Sequence, residues 1–141
     1  MSIGAIVSGR KPVIGIAAAA KVSAIVALLH EHRIGAVLVL DGGSILGIVS
    51  ERDIAAGLHT LGAAILDAAA ADIMTSPVLT LPPQASVVEA MAVMTNRRIR
   101  HLPVVENGAL VGLVSIGDLV KRRIEDAEHE ALLLKDYIAS A

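Results

Sequence analysis

Two short polar clusters carry the residues best suited to chemistry in this chain. Ser50, Arg52 and Asp53 come directly after the apolar run Ile45 to Val49, and Ser115 and Asp118 come in the same way after Leu110 to Val114. A serine at a helix start accepts from the free first-turn amides, and a carboxylate in that turn faces the positive end of the helix dipole. Such a turn attracts anions, and its carboxylate can accept two hydroxyls, as from a ribose. Plain helix capping accounts for the same residues, and a duplicated cap would recur as well. A third cluster, Arg97-Arg98-Ile99-Arg100-His101, is strongly cationic where a helix gives way to a strand. Cations beside a helix start make an anion site suited to phosphate. A solvated charged face is the alternative.

Catalytic constellations are missing from the sequence. Of the five histidines, His30 and His32 end a predicted helix, where residues two apart point to different faces. His129 sits in Glu128-His129-Glu130 on a charged helix, and His59 and His101 complete the five. There is no serine elbow, no His-Glu-x-x-His and no P-loop. Gly42, Gly43 and Gly47 have the wrong spacing for a dinucleotide fingerprint and read as a hairpin turn. The chain is therefore read as a binding protein and not an enzyme, with no metal cofactor.

The elements that position these clusters form a tandem repeat. Sliding the chain on itself from Pro12 to Pro77 aligns Arg33-Ile34 with Arg98-Ile99, Val49-Ser50 with Val114-Ser115, and Asp53 with Asp118. Each copy starts with an apolar run that reads as a buried strand, Val13 to Ile16 and Val78 to Leu81. An amphipathic helix follows; Ser86 and Glu89 mark its start in the second copy as a capping box, whereas Lys21 stands at the Ser86 position of the first. Two strands come next, Ala36 to Leu40 with Ile45 to Val49, and His101 to Val105 with Leu110 to Val114. Asp41-Gly42-Gly43 and Glu106-Asn107-Gly108 supply their hairpin turns. A helix capped by Ser50 or Ser115 closes each copy, and the last one runs on to about Tyr137.

The fold class is thus α/β (α+β), two tandem β-α-β-β-α repeats packed with pseudo-two-fold symmetry. Residues 1–60 form the first repeat, 61–71 a helical linker, 72–125 the second repeat and 126–141 a helical extension. One repeat alone is too small to bury a comfortable core, and two together are not.

Composition narrows function further. The 141 residues are 55% apolar but 1% aromatic, with Tyr137 alone and neither Phe nor Trp, so base stacking on aromatics is excluded. The absence of cysteine removes disulfides and thiolate chemistry and fits the cytoplasm. A net charge of -2 gives no basic patch for duplex nucleic acid. The stretch Val13 to Leu29, preceded by Arg10 and Lys11, has the outline of an export signal. Lys21 breaks it below the length of a membrane span, and cleavage at the alanine tract would remove the first strand of the repeat.

The runs Ile99-Arg100-His101-Leu102-Pro103-Val104-Val105 and Gly112-Leu113-Val114-Ser115-Ile116-Gly117-Asp118, joined through Gly108, resemble a CBS domain, the module named for cystathionine β-synthase. Ile34-Gly35-Ala36-Val37-Leu38-Val39 and Gly47-Ile48-Val49-Ser50-Glu51-Arg52-Asp53 repeat the layout, and Asp72-Ile73-Met74-Thr75 resembles the entry to a second CBS repeat. The resemblance covers nearly the whole chain. It is strongest to small stand-alone bacterial CBS-pair proteins, which also end in a helix near a Tyr-Ile such as Tyr137-Ile138.

This resemblance implies a CBS pair, or Bateman module, that binds adenine nucleotides in clefts between its repeats: AMP first, with ATP or NAD as relatives. It implies that Asp53 and Asp118 take ribose hydroxyls, with Ser50 and Ser115 near ribose or phosphate. Arg52, Thr75, Val78, Thr80, Ile99, Arg100 and His101 would complete the Asp53 cleft. Val13, Gly15, Ile34, Gly35 and Ala36 would complete the Asp118 cleft, which has fewer polar partners because Gly15 stands where the second copy has Thr80. Adenine would lie between aliphatic side chains. The resemblance also implies a cytoplasmic homodimer acting through a separate effector protein. The competing reading is a structural dimerisation protein with vestigial nucleotide sites.

Overall fold

The computed structural model describes residues 1–140. A short helix, α1 (Ile3–Val7), precedes β1 (Gly15–Ile16), α2 (Val22–His32), a hairpin of β2 (Ala36–Asp41) and β3 (Ser44–Ser50), and α3 (Glu51–Leu61). A 3-10 segment (Gly62–Asp67) and α4 (Ala70–Ile73) lead to α5 (Val87–Arg97), a hairpin of β4 (His101–Glu106) and β5 (Ala109–Ser115), and the long α6 (Ile116–Ser140). The class is mixed helix and strand, with one three-stranded sheet in the order β1-β2-β3 and one two-stranded sheet, β4-β5. Helices α2 and α5 and both hairpins begin and end at equivalent repeat positions.

Local chemistry explains these boundaries. At the start of α5 the Glu89 amide donates to Ser86 Oγ at 3.0 Å, and the Ser86 amide donates to Glu89 Oε2 at 3.4 Å. Lys21 makes no side-chain cap, and the first amide of α2, on Val22, instead donates to the Ala68 carbonyl at 2.9 Å. Asn107 and Gly108 both have positive φ, as a tight hairpin turn requires.

The first strand of each copy is shorter than its apolar run. Val13 to Ile16 reduces to β1, which pairs in parallel with Leu38 and Val39 of β2. Val78 to Leu81 forms no strand, only a parallel bridge from Leu81 to Val104. Proline is the reason. In the first copy the Leu38 amide donates to the Ile14 carbonyl at 3.4 Å. Pro103 stands at the Leu38 position without an N–H, and Pro82 and Pro83 follow Leu81 without donors either.

The chain packs as two compact units, one of Lys11–Leu79 and the other of Met1–Arg10 with Thr80–Ala141. Ile25, Val37, Val39, Val49 and Ala70 form the core of the first; Ile3, Val7, Met94, Leu102, Val104 and Leu119 belong to the core of the second. In both, the segment of a short helix lies against a glycine of a hairpin strand. A Cβ on Gly47 would sit 2.5 Å from Met74 Sδ, and one on Gly112 would sit 2.6 Å from the Val7 Cβ. Among the described residues no helix is long and apolar enough to cross a membrane; the apolar stretch Val13 to Leu29 divides between β1 and α2.

Candidate functional site

In the Lys11–Leu79 unit, Ser50 ends β3 and caps α3. Its amide donates to Asp53 Oδ2 at 2.8 Å, and its hydroxyl lies 3.0 Å from the same oxygen. This fixes the carboxylate in the first turn of α3. The other oxygen, Oδ1, accepts from Thr75 Oγ1 at 2.8 Å. Thr75 is held by exchanging backbone hydrogen bonds with Ile48 of β3, at 2.8 and 3.1 Å. Ala36 pairs with Ser50 across the sheet, and the Glu51 amide donates to the Gly35 carbonyl at 3.1 Å. Ser50, Asp53, Thr75, Gly35 and Ala36 thus share one end of one sheet.

The second unit builds the same turn with a different partner. The Ser115 amide donates to Asp118 Oδ2 at 2.9 Å, and the Asp118 amide donates to Ser115 Oγ at 3.1 Å. His101 pairs with Ser115, and the Ile116 amide donates to the Arg100 carbonyl at 2.8 Å. Here the carboxylate meets Arg10, whose two terminal nitrogens reach Oδ1 at 2.9 Å and Oδ2 at 3.0 Å. Burial pushes the Asp118 carboxyl up. The Arg10 hydrogen bond, the Ser115 amide and the Arg10 charge outweigh it and hold the group below its ordinary value. The same hydrogen bond holds the Arg10 guanidinium above its ordinary value.

Arg10 stands to Thr75 in the repeat as Pro12 stands to Pro77, so equivalent positions supply the partners of equivalent aspartates. Sequence reasoning missed Arg10 and noted it only as a charge ahead of an apolar stretch. The repeat offset from Thr75 was the signal that could have found it.

The remaining candidates divide between the units. Val13, Gly15, Ile34, Arg52 and Val78 belong to the Lys11–Leu79 unit, and Thr80 and Ile99 to the other. Arg52 and Arg100 are exposed, Ile34, Val78, Thr80, Ile99 and His101 are half-buried, and Ala36 is buried. His30 and His32 are exposed at the end of α2. Among the described residues no cluster of histidine and acidic side chains could hold a metal ion. A surface groove beside α6, lined by Met1, Val88, Arg123, Asp126 and His129, contains none of the candidate residues. In both units the aspartate carboxylate is oriented by the serine amide at the start of a helix.

The CBS domain family model matches residues 3–60 and 70–125. A mitochondrial CBS domain-containing protein of Arabidopsis thaliana is 34% identical over 115 residues, which cover 78% of this chain and 56% of the relative. The chain thus spans just over half the length of that relative. The crystal structure of a CBS-domain containing protein from Agrobacterium tumefaciens matches with a TM-score of 0.84 and 35% identity, covering 87% of this chain and 99% of that one. A CBS domain protein from Pyrobaculum aerophilum, solved in complex with AMP, matches with a TM-score of 0.74 and 28% identity over 84% of this chain and 89% of that one. With the family pattern matched twice and in register, the chain belongs to the CBS domain family and carries two copies of its module.

Proposed function

We propose that the chain is a regulatory module that binds an adenine nucleotide, with Asp53 as the acceptor for ribose hydroxyls. The observation that carries this reading is the Asp53 turn. Its carboxylate is oriented by the Ser50 amide through one oxygen, while the other accepts from the neutral Thr75 hydroxyl. A ribose hydroxyl offers the same donor and can take that place. The AMP bound by the Pyrobaculum relative supports the ligand class. AMP is therefore the first candidate, ahead of ATP and NAD. An aliphatic surrounding for adenine suits a chain with a single aromatic residue. Arg100 and His101 are assigned to phosphate. Cytoplasmic action through an effector protein belongs to this same reading. A calorimetric titration with AMP, ATP, NAD and adenosine tests it. Saturable binding of AMP without turnover is expected; binding of no adenine nucleotide overturns the reading, and hydrolysis of one would make the chain an enzyme.

The long α6 favours a second reading, a structural homodimer. Ile124, Leu134, Tyr137 and Ile138 are 53%, 59%, 73% and 65% exposed. Ile124, Ala127, Ala131, Leu134 and Ile138 recur at heptad spacing, and Arg123 precedes Glu128, as Glu130 precedes Lys135, by the step that pairs opposite charges between parallel helices. A second copy of the chain is the partner this stripe fits. In this reading the nucleotide sites are vestigial and self-association through α6 is the function of the chain.

A further inference from the structure

We propose that Arg10 is an internal occupant of the Asp118 turn, a guanidinium that a ribose must displace, so that the two repeats offer nucleotides unequal sites. This rests on the reading that the paired aspartates accept ribose hydroxyls.

The two turns share their cap geometry and differ in the partner that meets the carboxylate. Each has a serine cap, a carboxylate whose Oδ2 accepts the serine amide, and a preceding strand of the same length. At the position equivalent to Arg10 the other repeat carries Thr75, which uses one hydroxyl on one oxygen. Arg10 uses its planar fork on both oxygens. A bidentate guanidinium satisfies a carboxylate in charge and in geometry, and a lysine or a threonine cannot copy it. Asp53 therefore gives up one neutral hydrogen bond to admit a ribose, whereas Asp118 gives up a charged pair. The pair is half exposed, with side chains 43% and 26% accessible. It is a contact that can open, and its strength falls with added salt.

The test isolates the Asp118 turn. AMP is titrated into the whole chain as wild type, Asp53→Asn, and Asp53→Asn with Arg10→Thr, the last copying what the other repeat carries. With Asp53 weakened, the residual AMP affinity is expected to rise about two- to fivefold when Arg10 becomes Thr, the scale of losing one partly exposed ion pair. Arg10→Lys, which keeps the charge and loses the fork, is expected to fall between. Thermal melts check that each variant is folded. Unchanged affinity in the Arg10→Thr background overturns the proposal and leaves Arg10 a structural ion pair. Weaker affinity also overturns it, because Arg10 would then be holding the anion. Failure of wild type and every variant to bind AMP defeats the underlying nucleotide reading instead, a result distinct from either.

Discussion

Arg10 grips both carboxylate oxygens of Asp118 from a position far away in sequence, and its repeat equivalent Thr75 touches only one oxygen of Asp53. The Arg10 pair makes the Asp118 turn sensitive to acid. Because the folded Asp118 group is held below its ordinary value, its contribution is fully present above the unfolded value of about 3.9 and is lost as pH falls through the folded one. Arg10→Ala removes the main stabilising partner while leaving the burial, so the folded value should rise. Melting temperatures measured from pH 2 to 7 should show the variant below wild type near neutrality, with the difference shrinking as pH falls through the folded Asp118 value, because the variant has less acid-sensitive stability to lose. The loss near neutrality should be about 1 kcal/mol or less, as the pair is partly solvated. Superimposable pH profiles would mean that the pair contributes nothing in solution.

A second prediction concerns the glycines beneath the short helices. A Cβ at Gly112 would meet the branched Val7 side chain at 2.6 Å, and one at Gly47 would meet the flexible end of Met74 at 2.5 Å. Gly112→Ala should therefore cost about 1–3 kcal/mol, the usual range for overpacking, and Gly47→Ala should cost less because a thioether moves aside easily. Urea titrations of both variants give the comparison. Equal costs would contradict this account of the two contacts.

What could be read from sequence, and what could not, follows the range of the interactions. The hairpins are legible because Gly42 and Asn107-Gly108 encode their turns within a few residues, and the helix starts because Ser86, Ser50 and Ser115 cap within one turn. The failed strand at Val78 to Leu81 needed knowledge of its neighbour: an apolar run forms no ladder when Pro103 opposite it has no N–H to donate. Asp53 and Asp118 stood out as a repeated pair, but capping and ligand binding ask for the same residue types in the same turn, and the structure shows the capping in full. The Arg10 contact joins residues that no local pattern links. Only the repeat offset connects it to Thr75.

The cationic run Arg97 to His101 makes a third prediction. If Arg100 meets phosphate, AMP should bind more tightly than adenosine, and the difference should shrink with added salt. Arg100→Gln should reduce AMP affinity about tenfold, the scale of a charge-assisted hydrogen bond, and leave adenosine affinity unchanged. Equal wild-type affinities for AMP and adenosine would return the run to a solvated face.

Self-association supplies a fourth. Light scattering should give the mass of two chains for wild type and one chain for Leu134→Glu with Ile138→Glu, which places charge in the heptad seam. Removal of residues 125–141 should have the same effect. A wild-type monomer, or a dimer indifferent to both changes, would exclude α6 as the interface.

The fifth prediction separates the two roles available to Asp53. Asp53 caps its own helix, since Oδ2 accepts the Ser50 amide at 2.8 Å, and the stabilising value of such an acid in a first turn is about 0.3–1 kcal/mol. A hydrogen bond from a ribose hydroxyl to an ionised carboxylate contributes about 1.5–3 kcal/mol. Asp53→Asn keeps the size and one oxygen acceptor but removes the charge. If Asp53 takes ribose, AMP affinity should fall roughly ten- to hundredfold and the melting temperature should drop slightly. Thr75→Val sharpens the comparison, because it removes the neighbouring hydroxyl without touching the carboxylate. It should leave AMP affinity intact or raise it, since one competing donor is gone. Should Asp53→Asn lower only the melting temperature and leave AMP affinity unchanged, Asp53 would be a helix cap alone, and self-association through α6 would become the better account of the chain.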